Sequence, residues 1–164
     1  MKTKIVGLDL SITATGIASI TGKCYTVGGN SKLGDKRLSI IEKSLQKHLK
    51  ADVYMIEDLP INAHGAGITG MVHGVTRNLL LQHDKPYVLI PPASLKKYAT
   101  GKGNANKLDM ADSLYTHFGL QLADDNQVDA YWLRLMGLDY FNVKKIDLPE
   151  DHKIAMKKIK WCSL

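Results

Sequence analysis

At 164 residues, 45% hydrophobic and 23% charged, the chain has the composition of one globular domain, able to bury roughly 70% of its unfolded surface without a disulfide or metal staple. No apolar run approaches the ~18 residues of a membrane-spanning helix, and the start, MKTKIVGLD, reaches a charged strand residue too soon for a signal peptide. Six scattered histidines and two distant cysteines, Cys24 and Cys162, offer no zinc-ligand spacing and suit a reduced intracellular compartment.

The charge of +6 is uneven. Residues 96–107 (KKYATGKGNANK) carry four lysines and no acid, and residues 143–164 carry six lysines against three acids. Both segments suit contact with phosphates, and a solvated tail explains the second equally well.

In chain order, Lys4 to Leu10, Gly16 to Thr21 and Lys23 to Val27 read as short strands, joined at Thr21-Gly22-Lys23 by a tight turn. Asp35 to Leu49 places Leu38, Ile41, Leu45 and Leu49 on one helical face. Val53 to Ile56 is a fourth strand ending in Glu57 and Asp58, Gly67 to His83 a second helix, and Tyr87 to Ile90 a fifth strand stopped by Pro91-Pro92. Helices follow at Ser94 to Tyr98, Lys107 to Phe118 and about Asn126 to Leu138. This order gives an α/β domain over residues 1–142: a five-stranded mixed sheet centred on its first strand, helices on both faces, then a basic C-terminal extension over 143–164.

Three acids sit where carboxylates are usually avoided. Asp9 interrupts the apolar strand IVGLDLSI, and a buried carboxylate costs several kcal/mol unless something compensates it. Glu57 ends VYMIE, and Asp129 lies within DDNQVDAYWLRL beside the stripe of Val128, Tyr131, Trp132 and Leu135. Asp125 shares a helical face with Asp129, while Asp124 or Asp125 also suits an N-cap. Acids gathered at one end of a sheet repel and need a cation, and an all-oxygen set favours Mg²⁺ or Mn²⁺. Gly101 and Gly103 would let backbone N–H groups approach a phosphate, whereas the P-loop pattern is absent. Gly67, Gly70 and Gly74 line one side of the second helix and suit a dimer contact; packing of that helix on its own sheet competes as an explanation. His64, His73 and His83 read as surface or interface residues.

The stretches IVGLDLSITATGIA, VYMIED, PPASLKKYATGKGNANK and DDNQVDAYWL, in this order, resemble the RuvC family of Holliday junction resolvases over roughly residues 3–138, and the short form is similar to phage-encoded members. The resemblance implies an RNase H-like fold, a homodimer in the cytoplasm of a bacterial host, and cleavage of four-way DNA junctions with two Mg²⁺ ions per site, Mn²⁺ substituting. It implies metal-binding roles for Asp9, Glu57 and Asp129, the last opening the DAYW version of the DAxA motif. Lys96 and Lys107 match lysines flanking the GxGxAxK segment and expected to contact phosphate, with Lys97, Lys102 and Asn104 beside them.

Two positions depart from the family pattern. Asn126 stands where Asp or His is usual, so the fourth ligand falls either to its amide oxygen or to Asp125, the preferred choice. Pro60 stands where some members carry a junction-wedging aromatic. Alternatives are a branched-DNA-binding protein without cleavage, and an RNA-processing nuclease of the YqgF type.

Overall fold

The computed structural model describes residues 2–59 and 66–162. Its elements are β1 (Ile5–Asp9), β2 (Ala14–Ala18), β3 (Cys24–Gly28), α1 (Lys36–Gln46), β4 (Val53–Glu57), α2 (Ala66–Gln82), β5 (Tyr87–Ile90), α3 (Pro92–Thr100), α4 (Lys107–Phe118), α5 (Asp125–Tyr140) and the short α6 (Glu150–Lys153). The strands form one sheet in the order β3-β2-β1-β4-β5. The β1–β2–β3 meander is antiparallel, and β4 and β5 join in parallel through helical crossovers.

The two-residue period of a strand decides which side chains meet. Val6, Leu8, Tyr54 and Ile56 point to one face, where they pack with Ile41 and Leu45 of α1 and Val72, Leu79 and Leu80 of α2. Ile5, Val53, Met55, Val88 and Ile90 point to the other, beneath Trp132, Leu133 and Met136 of α5 and Leu95 and Tyr98 of α3. By the same alternation Asp9 and Glu57, at the carboxyl ends of adjacent parallel strands, belong to the α5 face.

At two glycines, Gly7 of β1 and Gly16 of β2, the backbone of α5 lies directly on the sheet. A Cβ on Gly7 would fall 2.0 Å from the Ala130 carbonyl oxygen, and one on Gly16 would fall 2.0 Å from that of Asn126. Only glycine permits so close an approach, which carries the start of α5 over the end of β1.

The elements differ from the sequence expectation mainly at their ends. The hairpin after β2 closes through Ser19, whose N–H donates to Lys23 O (2.9 Å) and whose carbonyl accepts from Gly22 N–H (2.8 Å), so the strand stops at Ala18 and residues 19–22 turn. Gly22 takes a φ of +88° there. Helix α5 starts one residue earlier than expected because Asp124 is its N-cap, accepting from Gln127 N–H at 2.9 Å.

Beyond residue 142 the chain is anchored in the core: Ile146, Leu148, Ala155 and Ile159 are buried on the α5 face. Lys153 pairs with Asp139 at 3.1 Å and donates to Ile146 O at 2.6 Å, and Asp139 also accepts from the Tyr98 hydroxyl at 3.1 Å. Charge alone marks this segment in the sequence, because its apolar anchors are too widely spaced to show a period.

On α2, His73 is buried within the chain, unlike the surface or interface position expected of it, whereas His83 is exposed and its ring Nδ1 bonds to Leu79 O at 2.9 Å. A Cβ on Gly67, Gly70 or Gly74 would meet nothing within 4 Å, and Ile68 and Met71 are exposed beside them. Pro60 and His64 lie outside the described residues.

Candidate active site

Asp9, Glu57 and Asp129 come from three elements distant in sequence, and their carboxylates converge. One oxygen from each lies within 4.8 Å of the others. All three are largely enclosed, and their ionisation is correspondingly opposed. Burial raises the pKa of Asp9 well above the ordinary carboxylate range, and the charges of Glu57 and Asp129 raise it further. Burial also raises Glu57, with the Asp9 contact and the Lys96 charge opposing that rise. Asp129 is pushed up to about 7, by burial first and then by Glu57 and Asp125. Three acids that cannot all ionise cheaply in one space form a site that a cation completes. The donor set is oxygen alone, which suits a hard divalent ion such as Mg²⁺ or Mn²⁺.

Asn126 occupies the turn of α5 before Asp129. With its amide nitrogen turned to the two acceptors around it, it donates to Ala14 O at 3.1 Å and to Asp9 Oδ2 at 3.3 Å. This side chain therefore braces Asp9 as a donor, where the sequence reading offers its amide oxygen as a metal ligand. Asp125 is placed differently. It is not one of the three carboxylates that converge, although its charge still raises Asp9 and Asp129, and it forms an ion pair with Lys107, which depresses its pKa and raises that of Lys107.

A second tether holds the start of α5. Thr26 on β3 donates to Asp124 Oδ2 at 2.5 Å and accepts from Gln127 Nε2 at 3.0 Å. No motif marks Thr26 in the sequence; it matters because β3 reaches the N-terminus of the helix that carries Asp129.

The basic segment borders this cluster. The charge of Lys96 acts on both Glu57 and Asp129, and that of Lys107 on Asp129. Helix α3 ends at Gly101, whose φ of +80° suits glycine and whose N–H donates to Lys97 O at 2.9 Å. Lys97 folds back to donate to Gly101 O at 2.6 Å, bracing the turn. Lys102 and Asn104 are exposed. Asn106 opens α4 with a reciprocal capping box, its side chain accepting from Asp109 N–H and its own N–H donating to Asp109. Lys107 is thus the first residue of a firmly started helix, its side chain 80% exposed.

Among the described residues, no helix is long and apolar enough to cross a membrane. The chain matches no protein-family model and no curated protein. It does match solved structures. A Thermus thermophilus RuvC structure aligns over 95% of this chain and 98% of its own, with TM-score 0.68 and 18% identity. T. thermophilus RuvC in complex with Holliday junction substrate aligns over 80% and 89%, with TM-score 0.65 and 16% identity. The chain has the RNase H-like fold of these RuvC structures.

Proposed function

We propose that the chain is a divalent-metal-dependent endonuclease that cuts branched DNA, four-way junctions foremost. The observation that carries this reading is the convergence of Asp9, Glu57 and Asp129 from three elements into one enclosed carboxylate cluster. The fold it shares with a RuvC captured on a Holliday junction substrate supports the choice of DNA and of junctions.

In this reading Asp9, Glu57 and Asp129 hold one or two Mg²⁺ or Mn²⁺ ions. When bound, such ions supply charge neutralisation and Lewis acidity for hydrolysis of a phosphodiester. The chain's own residues do the rest. Asn126 fixes the rotamer of Asp9, and Asp125 holds the Lys107 ammonium near the cluster. Lys96 and Lys107 meet the phosphate to be cut, while Lys102, Asn104 and the backbone of the glycine turn meet its neighbours.

A four-way junction has two equivalent strands to cut, so a symmetric pair of sites suits it. We propose that two copies pair through the open glycine face of α2, where Gly67, Gly70 and Gly74 leave room for close backbone approach. Sedimentation as a monomer at micromolar concentration contradicts this pairing.

The test is incubation of the purified protein with an end-labelled four-way junction, a flap and a linear duplex, with and without Mg²⁺. Nicking of the junction that requires the ion, and that Asp9→Asn abolishes while junction binding persists, is the expected result. Binding without cleavage in Mg²⁺ or Mn²⁺ would instead favour a non-cleaving junction binder, a reading that Asn126 keeps in view. Preference for structured RNA would favour the RNA-processing alternative.

A further inference from the structure

The six lysines beyond residue 142 do not all serve one purpose. Lys153 is spent internally on Asp139 and Ile146. Lys158 and Lys160, by contrast, are exposed, and their side chains have no hydrogen bond or ion pair among the described residues. They face a cleft of about 480 Å³, whose other wall is formed by Arg77 of α2 and Tyr87 of β5, with Asp58 the one acid among its described lining residues.

Arg77 is held in position. Its Nε donates to the Tyr87 hydroxyl at 3.0 Å, and its guanidinium lies 5.5 Å from the centre of that ring. The outer guanidinium nitrogens have no hydrogen bond among the described residues. Lys158 also lines a second cleft, of about 300 Å³, which runs past Ala93 and Ser94 at the start of α3 to Lys97 and Gly103. The two clefts therefore share a wall and lead from Arg77 to the glycine turn that precedes Lys107. Solubility explains scattered surface lysines. It does not explain three cations from two distant segments around one cleft, one of them pre-set by a tyrosine.

We propose that Arg77, Lys158 and Lys160 form a second binding track for a DNA phosphate backbone, continuous with the Lys102–Lys107 loop, by which the C-terminal segment grips a duplex arm of the substrate. The track rests on the nuclease reading of the carboxylate cluster, because that reading supplies the DNA. Its ligand chemistry is a phosphodiester chain met by charge, without recognition of bases.

The experiment is fluorescence anisotropy of a labelled four-way junction, and of a linear duplex with one arm's sequence, across a salt series without divalent ions. Four forms of the full chain are compared: the parent, the double variant Lys158→Gln/Lys160→Gln, Arg77→Gln, and a control pair Lys43→Gln/Lys47→Gln in the last turn and at the C-cap of α1. Each phosphate contact contributes about 0.9 to the slope of log affinity against log salt. The double variant should lose about 1.8 of that slope on both DNAs and Arg77→Gln about 0.9, while the control pair keeps the parent's slope. Matching melting temperatures for the double variant and the parent would confirm that charge, not folding, is responsible. A double variant that keeps the parent's slope, or a control pair that loses as much, overturns the track and leaves the nuclease reading standing. A parent that binds neither DNA overturns both.

Discussion

The backbone of Gly16 touches that of Asn126: a Cβ at residue 16 would stand 2.0 Å from the Asn126 carbonyl oxygen. Through this contact β2 seats the first turn of α5, and Asp129, three residues on, meets Asp9 and Glu57. Gly16→Ala should force the helix off the sheet. The expected cost is about 1–3 kcal/mol, the range for overpacking a closely fitted site, together with loss of metal-dependent nicking. Urea unfolding and the junction assay check it, and a variant unchanged in both would show that the approach is not what assembles the site.

The carboxylate cluster also sets a pH dependence. Asp129 titrates at about 7 in the folded protein, against an ordinary value near 3.8, so between these limits the folded state binds more protons than the unfolded one. Stability without divalent ions must then fall as pH rises from about 4 to about 7. Asp129→Asn removes the penalty. At pH 8 in EDTA its melting temperature should exceed the parent's by several degrees, as expected of 1–2 kcal/mol in a chain of about this size, and the gap should close near pH 4. A variant less stable than the parent at pH 8 would contradict the penalty that burial and the neighbouring carboxylates place on the charged Asp129.

Much of this was legible in the sequence, and what was not has a physical cause. Asp9 betrayed itself by interrupting an apolar run and Glu57 by ending one, because a strand's alternation makes a misplaced charge visible over five residues. The sheet with β1 at its centre followed from the order of elements. The side-chain pairings of α5 did not. Whether Asp125 turns to Lys107 or toward Asp129, and whether Asn126 donates or ligates, depends on a few ångströms of helix placement that two glycines on other strands decide. The anchoring of residues 143–162 was hidden for a different reason: Ile146, Leu148, Ala155 and Ile159 are irregularly spaced among lysines and acids, and only the folded chain brings them together.

The two candidates for the fourth position at the metal site now make different predictions. Asn126→Ala removes the donor to Asp9, and should raise the Mg²⁺ concentration needed for half-maximal nicking by about 10–100-fold, as loss of an outer-shell partner does. Asp125→Ala releases Lys107 instead, and should slow cleavage while leaving the Mg²⁺ requirement nearly unchanged. Magnesium titrations of both variants separate the roles. If Asp125→Ala shifts the requirement as far as Asn126→Ala, Asp125 is a ligand after all.

The C-terminal segment hangs on Asp139, whose carboxylate accepts from Tyr98 and pairs with Lys153 in an enclosed setting where the two side chains are 8% and 16% exposed. Asp139→Ala leaves the lysine without its partner, a change that costs about 3–5 kcal/mol when the pair is buried. Chemical denaturation should register that loss, and proteolysis should release the segment after residue 142 first. A loss below about 1 kcal/mol would place the pair among weak surface contacts.

The central claim is that Asp9, Glu57 and Asp129 make one divalent-cation site, and crystals soaked in Mn²⁺ test it most directly. Anomalous density is expected between those three carboxylates and is expected to be absent from Asp9→Asn crystals treated alike. Density only elsewhere on the surface, or none at millimolar Mn²⁺, would contradict it.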